Sequence, residues 1–135
     1  MYINAFGEEM MIDNAEKALA SACRLCNCAI RAFTVAPVFM DLHRKGCHLW
    51  AIEFAKAPAS ISDFERVLDA ELTKVNSDYE AKRAGDATMQ RLKILQLKDN
   101  TFVRWMESRG KLGGQNKVPA LWKDQTFINQ LKELQ

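Results

Sequence analysis

The stretch Arg109 to Pro119, RGKLGGQNKVP, gathers three of the six glycines and one of the three prolines in the chain, together with Lys111 and Lys117. Glycines beside a lysine can handle phosphate, because bare backbone N–H groups and a cation both favour an oxyanion. It is not a P-loop, since that motif needs G-K-[ST] after its second glycine and here Gly114 is followed by Gln115, Asn116 and Lys117. G-x-G-x-x-G is also missing. Gly113 and Gly114 can still present N–H groups, and Pro119 holds Val118 extended, so Lys117 projects from a stiff stretch next to a pliant one. Read from composition alone, Lys111 and Lys117 are solvated loop charges.

A second group is Cys23, Cys26 and Cys28, with Cys47 and His48 across a predicted hairpin. Zinc requires four such donors converging tetrahedrally. C-x-x-C-x-C followed by Cys-His is not a usual paired knuckle, and Cys23 and Cys26 share the apolar face of a predicted helix. Buried thiols are the simpler reading, with a zinc-stabilised interaction domain as the alternative. Cys47 with His43 or His48 has the residue types of a nucleophile and base, with Asp41 as an orienting carboxylate. Two histidines at a hairpin turn read more simply as solvent-exposed. Trp50, Trp105 and Trp122 read as core or half-buried residues, and Met10, Met11, Met40 and Met106 as gap fillers.

The elements that must position these groups follow from periodicity. Asp13 to Asn27 reads as a helix with Asp13 and Glu16 in capping-box spacing and Leu19, Cys23 and Cys26 on one face. Cys28 to Phe39 and His48 to Phe54 read as an antiparallel hairpin, with Trp50, Ile52 and Phe54 alternating and Pro37 marking an edge or a bulge in the first strand. Ser62 to Arg83 predicts one long helix, because Ser62 and Glu65 make a second capping box and Phe64, Leu68, Leu72, Val75 and Tyr79 form a stripe. Gly85 ends it. Leu92 to Leu97 is a strand, Thr101 caps a helix through Ser108, and Asp124 caps a last helix with Phe127, Ile128, Leu131 and Leu134 on its apolar face. With a short strand before the first helix, the class is α+β: a small mixed or antiparallel sheet of about three to four strands covered by helices.

A chain of 135 residues fits one domain, residues 1–135. Its apolar fraction of 48% and charged fraction of 27% argue for a packed globular core rather than disorder. No uncharged stretch approaches the roughly 20 residues that span a bilayer, and the glutamates at positions 8 and 9 are unlike a secretory start, so a cytoplasmic protein is expected. The net charge of +2, with lysines and glutamates interspersed, supplies no basic stripe for nucleic acid.

Several runs are more specific than any of these patterns. YINAFGEE at Tyr2 to Glu9, HLWAIEF at His48 to Phe54, LTKVNSDYEAKRAGD at Leu72 to Asp86 and TFVRWMESRGKLGGQNKVP at Thr101 to Pro119 resemble the acyl-acid amido synthetases related to the plant auxin-responsive promoter proteins, especially their bacterial relatives. The resemblance extends over nearly the whole chain and identifies it as similar to the small C-terminal lid domain of an adenylate-forming enzyme, with the large N-terminal adenylation domain absent. It implies a ligase in which a carboxylic acid attacks the α-phosphate of ATP, and an amino-acid amine then displaces AMP to form an amide. It also implies ATP and Mg2+ as cofactors of the complete enzyme, with none held tightly by this chain, which alone is expected to be inactive.

The same resemblance assigns roles. Lys117 becomes a catalytic cation delivered to the carboxylate and α-phosphate, Gln115 and Asn116 orient it or donate to phosphate oxygens, and Gly114 offers its backbone. The segment Asn4 to Glu8 follows the interdomain hinge, which places Gly7 and Glu8 beside the nucleotide; plant members carry a lysine near a place where this chain has Phe6 and Gly7. The expected partners are the large domain and small acid and amine substrates, with no nucleic acid or membrane. The competing class is a stand-alone binding or regulatory module, for which the loop is only a contact surface.

Overall fold

The computed structural model describes residues 2–40, 45–86, 88–108 and 120–135. Two short strands, β1 (Tyr2–Ile3) and β2 (Met10–Met11), pair antiparallel and lead directly into α1 (Ile12–Cys26). A long hairpin follows, β3 (Ala29–Phe39) and β4 (Gly46–Lys56), then α2 (Ile61–Val75), α3 (Ser77–Arg83) and β5 (Lys93–Leu97). Two helices close the chain, α4 (Thr101–Ser108) and α5 (Thr126–Glu133). The main sheet has the order β3-β4-β5, antiparallel on one side of β4 and parallel on the other. This is the expected α+β class with a mixed sheet.

The central strand β4 is buried on both faces, and its alternation divides the interior in two. Trp50, Ile52 and Phe54 meet Ala15, Ala18, Leu19 and Ala22 of α1, with Phe64, Leu68 and Leu72 of α2 and Tyr79 of α3 in the same cluster. Phe54 and Phe64 contact edge to face at 5.4 Å, a geometry that aromatic quadrupoles favour. On the other face Ala51 packs with Ala36, Leu97, Phe102, Trp105, Phe127, Ile128 and Leu131. Small alanines on this face let α4 and α5 approach the sheet. Of the two readings of Pro37 the edge holds and the bulge does not: it lies in the outer strand β3, away from the register shifts at Ala29 to Ala32, where its missing N–H breaks no ladder. At the start of β4 the Gly46 backbone passes so near Val38 that a Cβ would stand 1.8 Å from its carbonyl oxygen.

Local chemistry places several boundaries differently from the sequence patterns. The helix predicted over Ser62 to Arg83 divides at Asn76, whose backbone is extended. The Asn76 side chain accepts from Tyr79 N at 2.8 Å and donates to Glu9 O and Asn14 Oδ1, both at 3.2 Å. A residue that caps one helix while tying down the β1–β2 connection cannot continue a helix itself. Ser60, not Ser62, caps α2, accepting from Asp63 N at 3.1 Å, while Glu65 accepts from Ile94 N of the edge strand β5. At α1 the reciprocal contact runs from Met11 N to Asn14 Oδ1 at 2.9 Å, in place of the Asp13–Glu16 box. Asp124 does accept from Thr126 N, at 2.9 Å, at the start of α5. Met10 is the core gap filler that was expected, but Met11 and Met40 are exposed.

Candidate functional site

The candidate site residues fall into two groups. Gly7 and Glu8 share the turn between β1 and β2, whereas Gly114, Gln115, Asn116 and Lys117 lie outside the described residues. The turn is built from within. Gly7 is at φ +84°, in the region that favours glycine, and the next residue sends its side chain inward. Glu8 is fully buried; its Oε1 accepts from Phe6 N at 2.7 Å and its Oε2 lies 2.5 Å from His48 Nε2. The carboxylate is therefore committed to the interior, and what the turn offers outward is the exposed Gly7 backbone.

His48 is the residue that sequence reasoning placed wrongly. It is wholly buried in β4 on the same face as Trp50 and Ile52, packed against Tyr79 with ring centroids 5.5 Å apart. The period-two spacing of His48, Trp50, Ile52 and Phe54 was the available signal, since one inward residue places the others inward. With Nε2 directed to Glu8, Nδ1 has no partner among the described residues. Neither His48 nitrogen is bonded to Cys47, which is wholly buried and so out of reach of a substrate, and burial pushes its thiol upward in pKa. Among the described residues no three His, Cys, Asp or Glu side chains are grouped to hold a metal.

A second buried network flanks this turn. Tyr79 donates its hydroxyl to Asp69 Oδ1 at 2.6 Å, and Arg83 grips the same carboxylate through Nε at 2.9 Å and Nη2 at 2.7 Å. Burial, with the Asp69 charge beside it, holds the Tyr79 hydroxyl far above the ordinary phenol range, so it stays a proton donor. Arg83 also donates to Met89 O, fixing the chain ahead of β5. An open cleft of about 560 Å³ lies beside it, where Arg91 faces Glu65 at 3.6 Å. Its two arginines each face a carboxylate.

The flanks of residues 109–119 are held from the sheet. Glu53, on the α4 face of β4, accepts from Asn100 N at 2.8 Å and Phe102 N at 3.1 Å, and Arg31 Nη1 approaches it at 3.0 Å. A carboxylate at a helix N-terminus satisfies orphan donors and complements the helix dipole. Burial would raise its pKa, but the two backbone N–H groups and Arg31 outweigh that and hold it below the ordinary range. Thus α4, which leads into residue 109, is pinned to β4. On the far side Val35 N donates to Ala120 O at 2.8 Å and Trp122 N to Val35 O at 2.9 Å, so the returning chain joins the outer edge of β3.

The turn makes one direct prediction. Gly7→Ala is expected to cost about 1–2 kcal/mol from the left-handed backbone. The added Cβ would meet only the flexible tail of Lys82, at 2.9 Å from Cε, which can move aside. Thermal melting of the two proteins checks this, and an unchanged midpoint would mean that the turn does not hold that conformation.

Comparison with known proteins places this arrangement. A GH3 acyl acid amido synthetase structure, GH3.15, superposes with a TM-score of 0.75 at 16% identity, over 98% of this chain and 25% of that one. The same enzyme in complex with 2,4-DB superposes equally well, with a TM-score of 0.75 at 16% identity over the same shares. This chain therefore spans a quarter of the length of the solved structures it matches, and it shares their fold there. No curated protein matches it in sequence. The model of the GH3 family C-terminal domain matches residues 13–126, from the start of α1 to the first residue of α5, and the chain belongs to the GH3 family as its C-terminal domain.

Proposed function

We propose that this chain is the mobile lid of an ATP-dependent ligase that adenylates a small carboxylic acid and joins it to an amino acid through an amide bond, working with a large N-terminal adenylation domain. The observation that carries this reading is the coincidence of the family match over residues 13–126 with the fold match over nearly the whole chain to an acyl acid amido synthetase. A domain of this size can cover an active site in one orientation for adenylation and in another for amide formation.

In this reading Lys117 is the catalytic cation. Brought to the carboxylate and α-phosphate, it opposes the charge that grows on the phosphoryl oxygens in the transition state. Gln115 and Asn116 orient the lysine or donate to phosphate oxygens, and Gly114 contributes its backbone N–H. The supporting geometry is in the flanks: α4, pinned by Glu53, and residues 120–122, paired with β3, give the segment two fixed bases. Gly7 contributes through its exposed backbone, and Glu8 shapes the turn that presents it. ATP supplies the activated α-phosphate, and Mg2+ enters with its phosphates in the large domain's site. The cytoplasm is the compartment that fits such an enzyme; among the described residues no helix is long and apolar enough to cross a membrane.

The test is acid-dependent ATP–pyrophosphate exchange in the chain joined to its large domain. Lys117→Ala is expected to lower the exchange rate about 100-fold, the scale for loss of one charge-stabilising group, with the KM for the acid little changed. Undiminished exchange would remove the catalytic role. Absence of exchange from the joined protein with every acid tried would favour a binding module without catalysis.

A further inference from the structure

The cysteines near the end of α1 take no part in the proposed ligase chemistry, yet they are arranged specifically. Asn27 adopts the left-handed conformation at φ 52°, and Cys28 N donates to Cys23 O at 3.0 Å. This is the six-to-one bond of a helix-ending Schellman motif, which brings the side chains of its two end residues together. Here those side chains are both thiols, near enough for each to shift the ionisation of the other. Both are half-buried and line an open surface cleft of about 500 Å³ with Glu16, Leu19 and Ala20, so a small oxidant can reach them. Cys26 projects elsewhere, into a separate cleft with Pro58, Asp63 and Arg66.

We propose that Cys23 and Cys28 are a reversible redox pair that closes an intramolecular disulfide across the end of α1 when the chain meets a peroxide. The backbone bond ties the two residues together at the end of one helix, and the five-residue separation makes closure a local event. The chemistry balances in two steps. The Cys23 thiolate attacks one oxygen of hydrogen peroxide, the O–O bond breaks, and the departing hydroxide takes up a proton to leave as water, giving a sulfenic acid on Cys23. Cys28 sulfur then attacks the Cys23 sulfur, the S–S bond forms as the S–O bond breaks, and the Cys28 proton leaves with the hydroxide as a second water. Two thiols are oxidised by two electrons and one peroxide is reduced.

The roles of the two thiols follow from their unequal surroundings. Burial pushes the Cys23 thiol above its ordinary value, and the Cys28 thiol beside it offsets part of that rise, so Cys23 is the thiol that ionises to attack. Burial and the neighbouring Cys23 and Cys26 push Cys28 up to about 12, against a weaker opposing pull from Lys56, so Cys28 keeps its proton until the second step. Glu16 and Arg31 line the same cleft and are the other charges facing the pair. The pair is accordingly a slow responder: the rate should climb about tenfold per pH unit below the Cys23 pKa, since only the thiolate attacks.

Peptide mapping of the folded chain after peroxide treatment and alkylation of the remaining thiols tests this. Trypsin cleaves after Arg24 and so separates Cys23, in residues 18–24, from Cys26 and Cys28, in residues 25–31. The expected product is a monomer in which these two peptides are joined, with fragmentation placing the bond at Cys28, reversal by dithiothreitol, and full formation in Cys26→Ser. A bond to Cys26, a link between two copies of the chain, or separate over-oxidation of Cys23 and Cys28 would each overturn the proposal. The wild-type fragmentation decides this even if Cys26→Ser fails to fold.

Discussion

Glu53→Ala is expected to destabilise the chain by about 3 kcal/mol, a fall of roughly 10 °C in the melting midpoint for a domain of this size. The side chain is 1% exposed and its two oxygens take the N–H groups of Asn100 and Phe102 at the start of α4. Hydrogen bonds to a charged partner are worth about 1.5–3 kcal/mol each, and both are lost. Arg31 limits the damage, because at 46% exposed it can return to water without leaving a buried charge behind. Glu53→Gln keeps one acceptor oxygen and turns an amide N–H toward the other donor, so about half the loss is expected. Calorimetric melting of the three proteins is the measurement. Equal midpoints would mean that α4 is held by its apolar contacts alone.

The same carboxylate gives a pH dependence with a definite sign. Its folded pKa is lowered from 4.5, because the N–H groups and Arg31 outweigh burial. A lowered carboxyl contributes its full stability above the unfolded value and loses it as pH falls through the folded one. The stability difference between the wild type and Glu53→Gln should therefore be constant from neutrality to about pH 5 and shrink as the pH drops below the unfolded value. A difference that grew on acidification would contradict the assignment. For the proposed ligase, Glu53 matters because α4 is the base from which the chain enters residues 109–119.

The fold was legible where one period governed a run. The spacing of Trp50, Ile52 and Phe54 foretold the inner face of β4, and Phe127, Ile128 and Leu131 foretold the buried face of α5. Boundaries were less legible, since a cap is decided by which side chain reaches an orphan donor. Ser60 and Ser62 offer similar local chemistry, and the choice turned on Glu65 having another use on β5. Asn76 looked like one more residue of a long helix because its partners, Glu9 and Asn14, are more than 60 residues distant. Polar core groups were the least legible. Glu53 and His48 sit in an otherwise apolar run, and their partners come from other segments of the chain. The segment bearing Lys117 is a different matter: its proposed role rests on the family resemblance, because its spacing fits no phosphate motif.

The larger loss is expected at the Glu8–His48 pair. Both side chains are fully buried, and they join the β1–β2 turn to the central strand. Phe6 N donates to Oε1 of the carboxyl while Oε2 shares a hydrogen bond with His48 Nε2, and His48 Nδ1 has no partner among the described residues. Glu8→Ala strips both the Phe6 N–H and His48 Nε2 of their buried partner and leaves a cavity beside His48, for an expected cost of about 3–5 kcal/mol. His48→Ala should cost a similar amount by leaving the Glu8 carboxyl buried without its second hydrogen-bond partner. The pairing makes these effects non-additive, because the second substitution removes a group already orphaned by the first. The double variant should therefore be more stable than the sum of the single losses predicts, by at least about 1 kcal/mol. Strict additivity in a double-mutant cycle would show that the two groups are buried side by side without coupling, and that the turn presenting Gly7 is fixed instead by Asn76 and its bond to Glu9.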